Sequence, residues 1–237
     1  MDQTGYIALT RQSGLMREMQ VVANNIANAA TTGFRQEGMV FSEFVQRQND
    51  APSVSMAFGN ASGASMMQGA LTKTGGQFDL AIEGDGFFMI ETPDGERLTR
   101  AGNFAPNAEG DLVTLDGLRV LDAGGAPVFV PPGAADLAVS EDGTVSADGQ
   151  ILGQIGIFIP SPPGVLRREA GVMFSSDSGF EEAVNPRVLQ GFLEGSNVDA
   201  ISQMARMIEV QRAYEMGQSF LDAENERIRE AIKSLTR

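Results

Sequence analysis

Cysteine, histidine and tryptophan are all absent from this 237-residue chain. Without cysteine the protein has no disulfide and no thiol nucleophile. Without histidine it has no histidine-based catalytic triad and no zinc site of the usual kind. The lack of cysteine fits an extracytoplasmic protein without disulfides and a cytosolic protein equally well. A hydrophobic content of 42% still allows a core to form, so we expect one large or two modest folded domains.

Long hydrophobic runs are absent as well. No apolar run approaches the length that spans a bilayer, so we expect no membrane insertion. The first residues also lack the basic region and the continuous apolar region of a secretory signal peptide. If the protein leaves the cytoplasm, we expect a route that does not use a cleaved signal peptide.

Positive charge is scarce, and the shortage is confined to the middle of the chain. The net charge is −14; residues 70–199 hold 20 acidic and 7 basic residues, and the rest of the chain holds 11 and 10. The acidic middle argues against nucleic acid as a partner, because phosphates select basic surfaces. The nearly neutral ends suit close packing of many copies, although a solvated acidic domain joined to two helices explains the same distribution.

Motifs that would carry catalysis or hold a ligand are incomplete. Residues 84–86 contain only part of a dinucleotide fingerprint and are better explained as a turn. The pair Glu181 and Glu182 has no nearby pattern that indicates a pocket, and residues 142–148 lack the ligand spacing of an EF-hand. No Gly-x-Ser-x-Gly nucleophile motif is present. We therefore expect no enzymatic activity, no cofactor and no bound metal.

Both ends of the chain carry the pattern of a long helix with one narrow apolar stripe. In residues 5–30 the apolar positions recur at alternating spacings of four and three, interrupted only by Gln12. These positions are Ala8, Leu15, Met19, Val22 and Ile26. The last helix is expected to begin near residues 197–199, with Asn197 or Asp199 as its N-cap, and its stripe recurs every seven residues. Its members are Ala200, Met207, Tyr214, Leu221, Ile228 and Leu235.

Stripes this narrow are typical of a coiled-coil-like seam, because the buried side of a globular helix is wider. Each seam needs a partner, which is either the other seam or another copy of the chain. We expect the two seams to pack against each other through Leu15, Met19, Val22, Ile26, Met207, Tyr214, Leu221 and Ile228.

Three asparagines lie beside the first stripe, although asparagine is a poor residue for a helix interior. Asn24 and Asn28 are four residues apart and therefore share a face. One interpretation is a fraying last turn with capping side chains. The interpretation that we favour is that Asn24, Asn25 and Asn28 hydrogen-bond laterally to a neighbouring helix and fix its register.

The middle of the chain predicts β structure. Asp-Gly pairs, which favour short hairpin turns, begin at Asp94, Asp116, Asp142 and Asp148. Residues 151–159 predict one strand with four isoleucines on one side, ended by prolines. The predicted fold class is therefore α+β, with long N- and C-terminal helices paired as a coiled-coil-like domain and a central antiparallel all-β domain.

The predicted domain organisation follows these patterns. Residues 1–33 form the first helix of an inner domain, and residues 34–70 form an extended or hairpin connector. Residues 71–188 form the β domain, and residues 189–237 contribute the C-terminal helix of the inner domain.

Four segments resemble the flagellar basal-body rod and hook proteins. The segment ANNIANAATTGFR at residues 23–35 resembles the N-terminal signature of that family. QGALTKTGGQFDLAIEGDGFF at residues 68–88 and LTRAGNFAPNAEGDLVTLDGLRVL at residues 98–121 resemble its central blocks. Residues 189–228, with the sequences EGSNV and QRAYE, resemble its C-terminal signature. Only about 32 residues separate Arg35 from Gln68, a short spacing that is similar to that of the proximal rod members.

The resemblance implies a fold and a function. The terminal helices would pair into an inner domain that lines the core of the rod, and the acidic β domain would face outward. The protein would be a structural subunit that assembles with copies of itself and with neighbouring rod proteins into a helical tube. That tube would transmit torque and enclose the export channel of the basal body. Export would use the flagellum-specific type III apparatus.

Two alternatives stay open. One is a distal rod or hook subunit of the same family. The other, from a different class, is a secreted binding module that uses the acidic β domain as a ligand-binding surface. If the protein is a rod subunit, we predict an assembly interface formed by residues of both helices. These residues are Leu15, Met19, Val22, Asn24, Asn25, Ile26, Asn28, Met207, Tyr214, Leu221 and Ile228.

Overall fold

The computed structural model describes residues 3–46, 54–134, 137–161 and 166–235. The chain divides into two compact units. The first unit combines both terminal segments with residues 37–62, and the second contains residues 28–36 and 63–198. The polypeptide therefore passes between the two units several times.

The first unit contains two helices and a two-stranded sheet. Its elements are α1 (Gln3–Ala27), β1 (Glu37–Gln46), β2 (Val54–Ala64) and α2 (Ala200–Leu235), with the end of β2 reaching into the second unit. Asp199 caps α2, because its carboxylate accepts a hydrogen bond of 3.0 Å from the backbone N–H of Ile201. With 36 residues and no proline, α2 is roughly 54 Å long.

α1 ends earlier than the sequence predicts. The sequence predicts a helix that extends to residues 31–33, whereas α1 ends at Ala27 and two turns follow. Gly33 has a positive φ of 69°, and a Cβ built there would lie 2.2 Å from the backbone nitrogen of Ala101. The close approach and the left-handed conformation both require glycine at this position.

The prediction that the helices pair as a coiled-coil-like domain is wrong. A coiled coil needs apolar side chains at both sets of positions along its seam. Between the predicted seam positions of α2, the buried or half-buried residues are Gln203, Val210, Ala213, Gly217 and Glu224. Only one of these is a large apolar residue, and Ile228 of the predicted seam is 41% exposed. The fold is instead α+β, with two contacting helices and a large antiparallel β-rich body.

The second unit is built from short strands. In chain order they are β3 (Leu71–Lys73), β4 (Leu80–Glu83), β5 (Phe87–Thr92), β6 (Gly95–Thr99), β7 (Ala105–Pro106), β8 (Leu112–Val113), β9 (Leu137–Val139), β10 (Thr144–Ala147) and β11 (Gln150–Gln154). They continue with β12 (Ile157–Pro160), β13 (Leu166–Arg168), β14 (Met173–Ser176), β15 (Phe180–Glu182), β16 (Arg187–Gln190) and β17 (Phe192–Glu194).

Every strand pairing in this unit is antiparallel. The largest sheet has six strands in the order β13-β14-β6-β5-β12-β15, and a second has three in the order β11-β10-β9. The remaining pairs are β16-β4, β17-β3 and β7-β8. Late strands thus pair with early ones, and β17, which precedes α2 in the chain, lies beside β3.

The core of the second unit contains two apolar clusters. The larger one is centred on side chains from β4, β5 and β12, among them Leu80, Ile82, Phe88 and Ile157, each at most 2% exposed. The smaller one contains Phe87, Leu98, Leu121 and Phe174. Adjacent residues of β5 point to opposite faces of the six-stranded sheet, so Phe87 and Phe88 join different clusters.

The Asp-Gly turns are confirmed. The glycines at 95, 117, 143 and 149 all have positive φ values, between 78° and 108°. Asp148 and Gly149 form the two-residue loop between β10 and β11, where Ala147 pairs with Gln150. Asp148 also has a positive φ of 51°, as the hairpin turn with two left-handed residues requires.

The single strand predicted over residues 151–159 is wrong, because the segment forms β11 and β12 with a break at residues 155 and 156. A Cβ at Gly156 would lie 2.6 Å from the carbonyl oxygen of Asp122. The chain therefore changes partners at this glycine. Ile151 is 76% exposed on β11, whereas Ile157 is buried on β12.

Candidate assembly interface

The two helices of the first unit pack against each other along one side. Val22 of α1 and Val210 of α2 are buried, at 4% and 2% exposure. Most of the other predicted seam residues are half-buried, namely Leu15, Met19, Ile26, Met207, Tyr214 and Leu221. Ile228 is exposed. The helix contact is thus narrow, and it leaves much of each helix open to solvent.

An ion pair joins the helices near the middle of α1. The guanidinium Nε of Arg206 donates to Glu18 at 2.7 Å, and Glu18 is only 7% exposed. The hydrogen bond that Arg206 donates to Glu18 raises the pKa of Arg206, with a smaller contribution from Glu209. Without Arg206 the buried carboxylate of Glu18 would be left without a compensating charge, which is costly. The pair therefore fixes the register between the helices.

Asn25 is buried inside the first unit, with 1% exposure. Its side-chain amide donates to Gln203 of α2 at 3.2 Å and to the backbone carbonyl of Glu37 at 2.9 Å. Its oxygen accepts from the backbone N–H of Glu37 at 3.0 Å. One asparagine thereby connects α1, α2 and the start of β1 within a single chain.

The other two predicted asparagines lie in different surroundings. Asn24 is exposed on α1. Asn28 lies past the end of α1 in the second unit, is half-buried, and accepts a hydrogen bond of 3.1 Å from the hydroxyl of Thr31. The three asparagines are therefore not one continuous patch, and their lateral role in an assembly stays a prediction.

A groove lies between the helices beside the contact of Gln12 with α2. The side-chain amide of Gln12 donates to the backbone carbonyl of Tyr214 at 3.1 Å, and a Cβ at Gly217 would lie 2.9 Å from that amide nitrogen. The groove has a volume of about 460 Å³. Besides Arg11 and Gln12 it is lined by Ala8, Leu15, Ala213, Met216, Gly217 and Phe220. We refer to it as the inter-helix groove.

The second unit contains a buried charge cluster that the sequence did not reveal. Glu194 lies between two arginines, at 3.0 Å from Arg35 and 2.9 Å from Arg100, and all three side chains are 1% exposed. Burial lowers the pKa of Arg35, and it lowers the pKa of Arg100 to about 10, while Glu194 acts in the opposite direction for both. We refer to these three residues as the Arg–Glu–Arg cluster.

Backbone carbonyls complete the surroundings of this cluster. Arg35 donates to the carbonyls of Met66 and Met67, and Arg100 donates to the carbonyl of Ile82 at 3.2 Å. Glu194 accepts from the backbone N–H of Gly69 at 3.0 Å. The only hint in the sequence was a single carboxylate that follows two apolar residues in Phe192-Leu193-Glu194.

Asn197 has a different role from the helix cap that was one of its predicted roles. Its oxygen accepts from the backbone N–H of Gln36 at 2.6 Å, and its amide donates to the carbonyl of Met67 at 2.6 Å. The backbone N–H of Asn197 also donates to the carbonyl of Phe34 at 3.3 Å. Asn197 therefore holds the chain leaving α1 beside the chain leading to α2, within the second unit.

Three family models match this chain in order. Residues 6–35 match the model described as flagella basal body rod protein. Residues 81–147 match the flagellar hook protein FlgE/F/G D1 domain, and residues 189–234 match the flagellar basal body rod FlgEFG protein C-terminal.

Curated relatives match over nearly the whole length. The flagellar basal-body rod protein FlgF of Caulobacter vibrioides is 36% identical, over 99% of this chain and 98% of its own. FlgF of Mesorhizobium japonicum is 37% identical with the same coverage. FlgG of Bacillus subtilis is 31% identical, over 96% of this chain and 97% of its own. This chain belongs to the flagellar basal-body rod protein family.

Within the family the chain is FlgF-like, and it is a structural subunit of the flagellar rod. The function expected from the sequence is thereby confirmed, together with its place in the flagellum and its assembly with other axial proteins. The Arg–Glu–Arg cluster takes one residue from each of the three segments that match the rod family models. The fold thus brings these separate segments to one buried point.

Two further findings concern the part of the chain that the structure describes. Neither helix has the length combined with the hydropathy needed to cross a bilayer. The same residues contain no group of three or more acidic side chains placed to hold a metal ion.

Proposed function

We propose that this rod subunit assembles with copies of itself and with neighbouring rod proteins, through its two helices, into a helical tube. The observation that carries this proposal is the distribution of exposed apolar side chains. Of the fifteen large hydrophobic residues exposed among the described residues, nine lie on the helices. They are Leu9, Met16, Ile201, Met204, Ile208, Met216, Phe220, Ile228 and Ile232.

Exposed apolar side chains occur on both helices, and together they provide the area of one interface. Nine side chains that are 41–80% exposed present an area on the order of 800 Å², which is one partner's share of a standard interface. Burial of this surface against neighbouring subunits would supply the stability that the helices lack as an isolated pair.

The predicted interface residues divide into two roles in this proposal. The exposed residues Asn24 and Ile228 contact neighbouring subunits directly. The buried residues Val22 and Asn25 hold α1 against α2, so that the exposed faces of the two helices keep a fixed geometry. The half-buried residues of the two predicted seams contribute to both roles, because part of each side chain is still exposed to a neighbouring subunit. They are Leu15, Met19, Ile26, Met207, Tyr214 and Leu221.

The charge distribution supports the placement that we propose within the rod. The terminal segments carry 11 acidic and 10 basic residues and can approach other copies closely, whereas residues 70–199 are strongly acidic. We place the helices at the core of the rod, around the export channel, and the acidic unit at its outer surface. Transmission of torque through this tube needs no enzymatic activity and no cofactor. We expect export through the flagellum-specific type III apparatus.

The first test is a single charge on α2. Leu221 is half-buried on the side of α2 that packs against α1, so Leu221→Asp places a carboxylate in an apolar contact. We expect the variant to be lost from isolated basal bodies and motility to be abolished, while the amides of the β-rich unit keep their protection from hydrogen exchange. Ala223→Asp is the matched control, since it adds the same charge two residues away at an exposed position.

Two outcomes would contradict the proposal. If Leu221→Asp still builds motile flagella, the helix pair is not needed for assembly. If Ala223→Asp is excluded from basal bodies to the same degree, the effect comes from charge rather than from the contact. Location of the labelled protein in isolated basal bodies then tests its position, which we place below the outermost rod segment.

A further inference from the structure

α2 carries a row of apolar side chains on the side that faces away from α1. Ile201, Met204 and Ile208 are 80%, 53% and 51% exposed, and their spacing of three and four places them on one face. Gln203 and Val210, which are buried on the side of α1, lie on the opposite face of the same helix. We refer to these three exposed residues as the α2 ridge.

The inter-helix groove has the opposite shape and a matching chemistry. It is concave, mostly apolar, and about 460 Å³ in volume, which accommodates two or three aliphatic side chains. Its polar lining residues are Gln12 and Arg11, and Arg11 is exposed at its edge.

We propose that the α2 ridge of one copy docks into the inter-helix groove of the next copy of the same chain. This inference rests on the proposed function and specifies which surfaces meet. Ridge and groove are different surfaces of one subunit, so the contact is heterologous and leaves a free ridge and a free groove at the ends of the stack. Repetition of the contact produces an open assembly rather than a closed dimer.

Polar groups beside the ridge and the groove favour a second copy as the occupant. Arg11 is exposed at the edge of the groove, where it presents a positive charge to a docked helix. Glu215 is exposed on the same side of α2 as the ridge, about two turns after Ile208, and brings a carboxylate to that edge. The helix face that carries the ridge thus has a charge complementary to that of the groove.

The absence of cysteine makes disulfide cross-linking a direct test. Met204→Cys places a thiol on the ridge, and Ala213→Cys places one in the groove. In basal bodies isolated from cells that carry only the double variant, mild oxidation should produce a ladder of dimers, trimers and longer products. Each single variant should remain monomeric, because the proposed contact joins a ridge to a groove and never two ridges or two grooves.

A matched control uses the same helix face. Glu226 is exposed on the same face of α2, five turns beyond the ridge, and Asp222, Arg229 and Glu230 lie within one turn of it. The double variant Glu226→Cys with Ala213→Cys should therefore give no ladder. If the first pair disturbs incorporation, Ile208→Cys with Met216→Cys tests the same contact at a second ridge position and a second groove position.

Three results would overturn the proposal. Efficient dimers of Met204→Cys alone would show that two ridges meet. Cross-links exclusively to a different flagellar protein would show that the groove holds another partner. No cross-link from either double variant, although both are incorporated and the cells swim, would rule out this contact and leave the proposed rod function intact. Failure of the rod function itself would appear instead as absence of the wild-type chain from basal bodies.

Discussion

The two units of this protein achieve stability in opposite ways. The β-rich unit buries most of its large apolar residues and its charge cluster within one chain, and it has an acidic composition. The described side chains of α1 and α2 include few buried large apolar residues, Val22 and Val210 among them, and nine exposed ones. This difference supports the proposal that the helices are the part of the chain that contacts neighbouring subunits.

The largest expected effect concerns the stability that the Arg–Glu–Arg cluster gives to the β-rich unit. Glu194→Gln removes the carboxylate that contacts two buried arginines, and loss of one partner in a buried pair costs about 3–5 kcal/mol. We expect a clear decrease in the urea midpoint, measured from the NMR amide signals of this unit. Glu91→Gln is the control, because the ion pair between Glu91 and Arg119 is half exposed and 3.5 Å long. Equal midpoints for the two variants would show that the cluster does not stabilise the unit.

An intermediate effect separates folding from assembly on one helix. Val210→Ala removes a buried side chain and should destabilise the helix pair by about 2 kcal/mol, whereas Ile201→Ala, at 80% exposure, should leave the free chain unchanged. Hydrogen exchange of the α1 and α2 amides measures the first effect. For Ile201→Ala we expect reduced incorporation into basal bodies with normal exchange. If Ile201→Ala also accelerates exchange, the exposed residues contribute to the fold of the monomer.

The smallest expected effect concerns a surface turn of the β-rich unit. Asp142 accepts hydrogen bonds from the backbone N–H and the hydroxyl of Thr144, at 3.0 and 2.9 Å, and these bonds lower the pKa of Asp142. A carboxyl with a lowered folded-state pKa stabilises the fold above its unfolded-state pKa, and this contribution is lost as the pH falls through the folded-state value. Thr144→Val removes one of the two bonds.

We expect the pKa of Asp142 in Thr144→Val to rise towards its ordinary value but not to reach it, because the backbone bond remains. A carboxyl-detected NMR titration of both proteins measures the change. Incorporation into basal bodies should be unaffected, in contrast to the changes on α2. An unchanged pKa would mean that the backbone N–H alone accounts for the shift.

Local chemistry was predictable from the sequence, and contacts between distant segments were not. The Asp-Gly turns, such as Asp148-Gly149, depend on the conformations that two adjacent residues can adopt. The break at Gly156 depends on the approach of Asp122, which is 34 positions away, so the isoleucine pattern alone predicted a single strand. The start of α2 was predicted within a few residues because Asp199 is a strong cap.

The candidate interface shows the same division. The periodic pattern identified the side of α2 that carries Met207, Tyr214 and Leu221, all of which are half-buried. The pattern did not reveal that Gln203 and Gly217 lie on the same side of α2. The sequence also suggested that Asn25 contacts another subunit, whereas the hydrogen bonds described for Asn25 lie within one chain. The Arg–Glu–Arg cluster could not be found from local patterns, because its residues are 65 and 94 positions apart.

The hydrogen bonds around Asn197 and Gly33 have a mechanical consequence. The backbone N–H of Gly33 donates to the carbonyl of Glu194 at 2.8 Å, and Asn197 holds both Phe34 and Gln36. The segment that leaves α1 and the segment that leads into α2 are therefore bonded to each other within the β-rich unit. Replacement of Asn197 would remove bonds to Gln36 and Met67 at once, so one side chain determines how firmly these segments are held together.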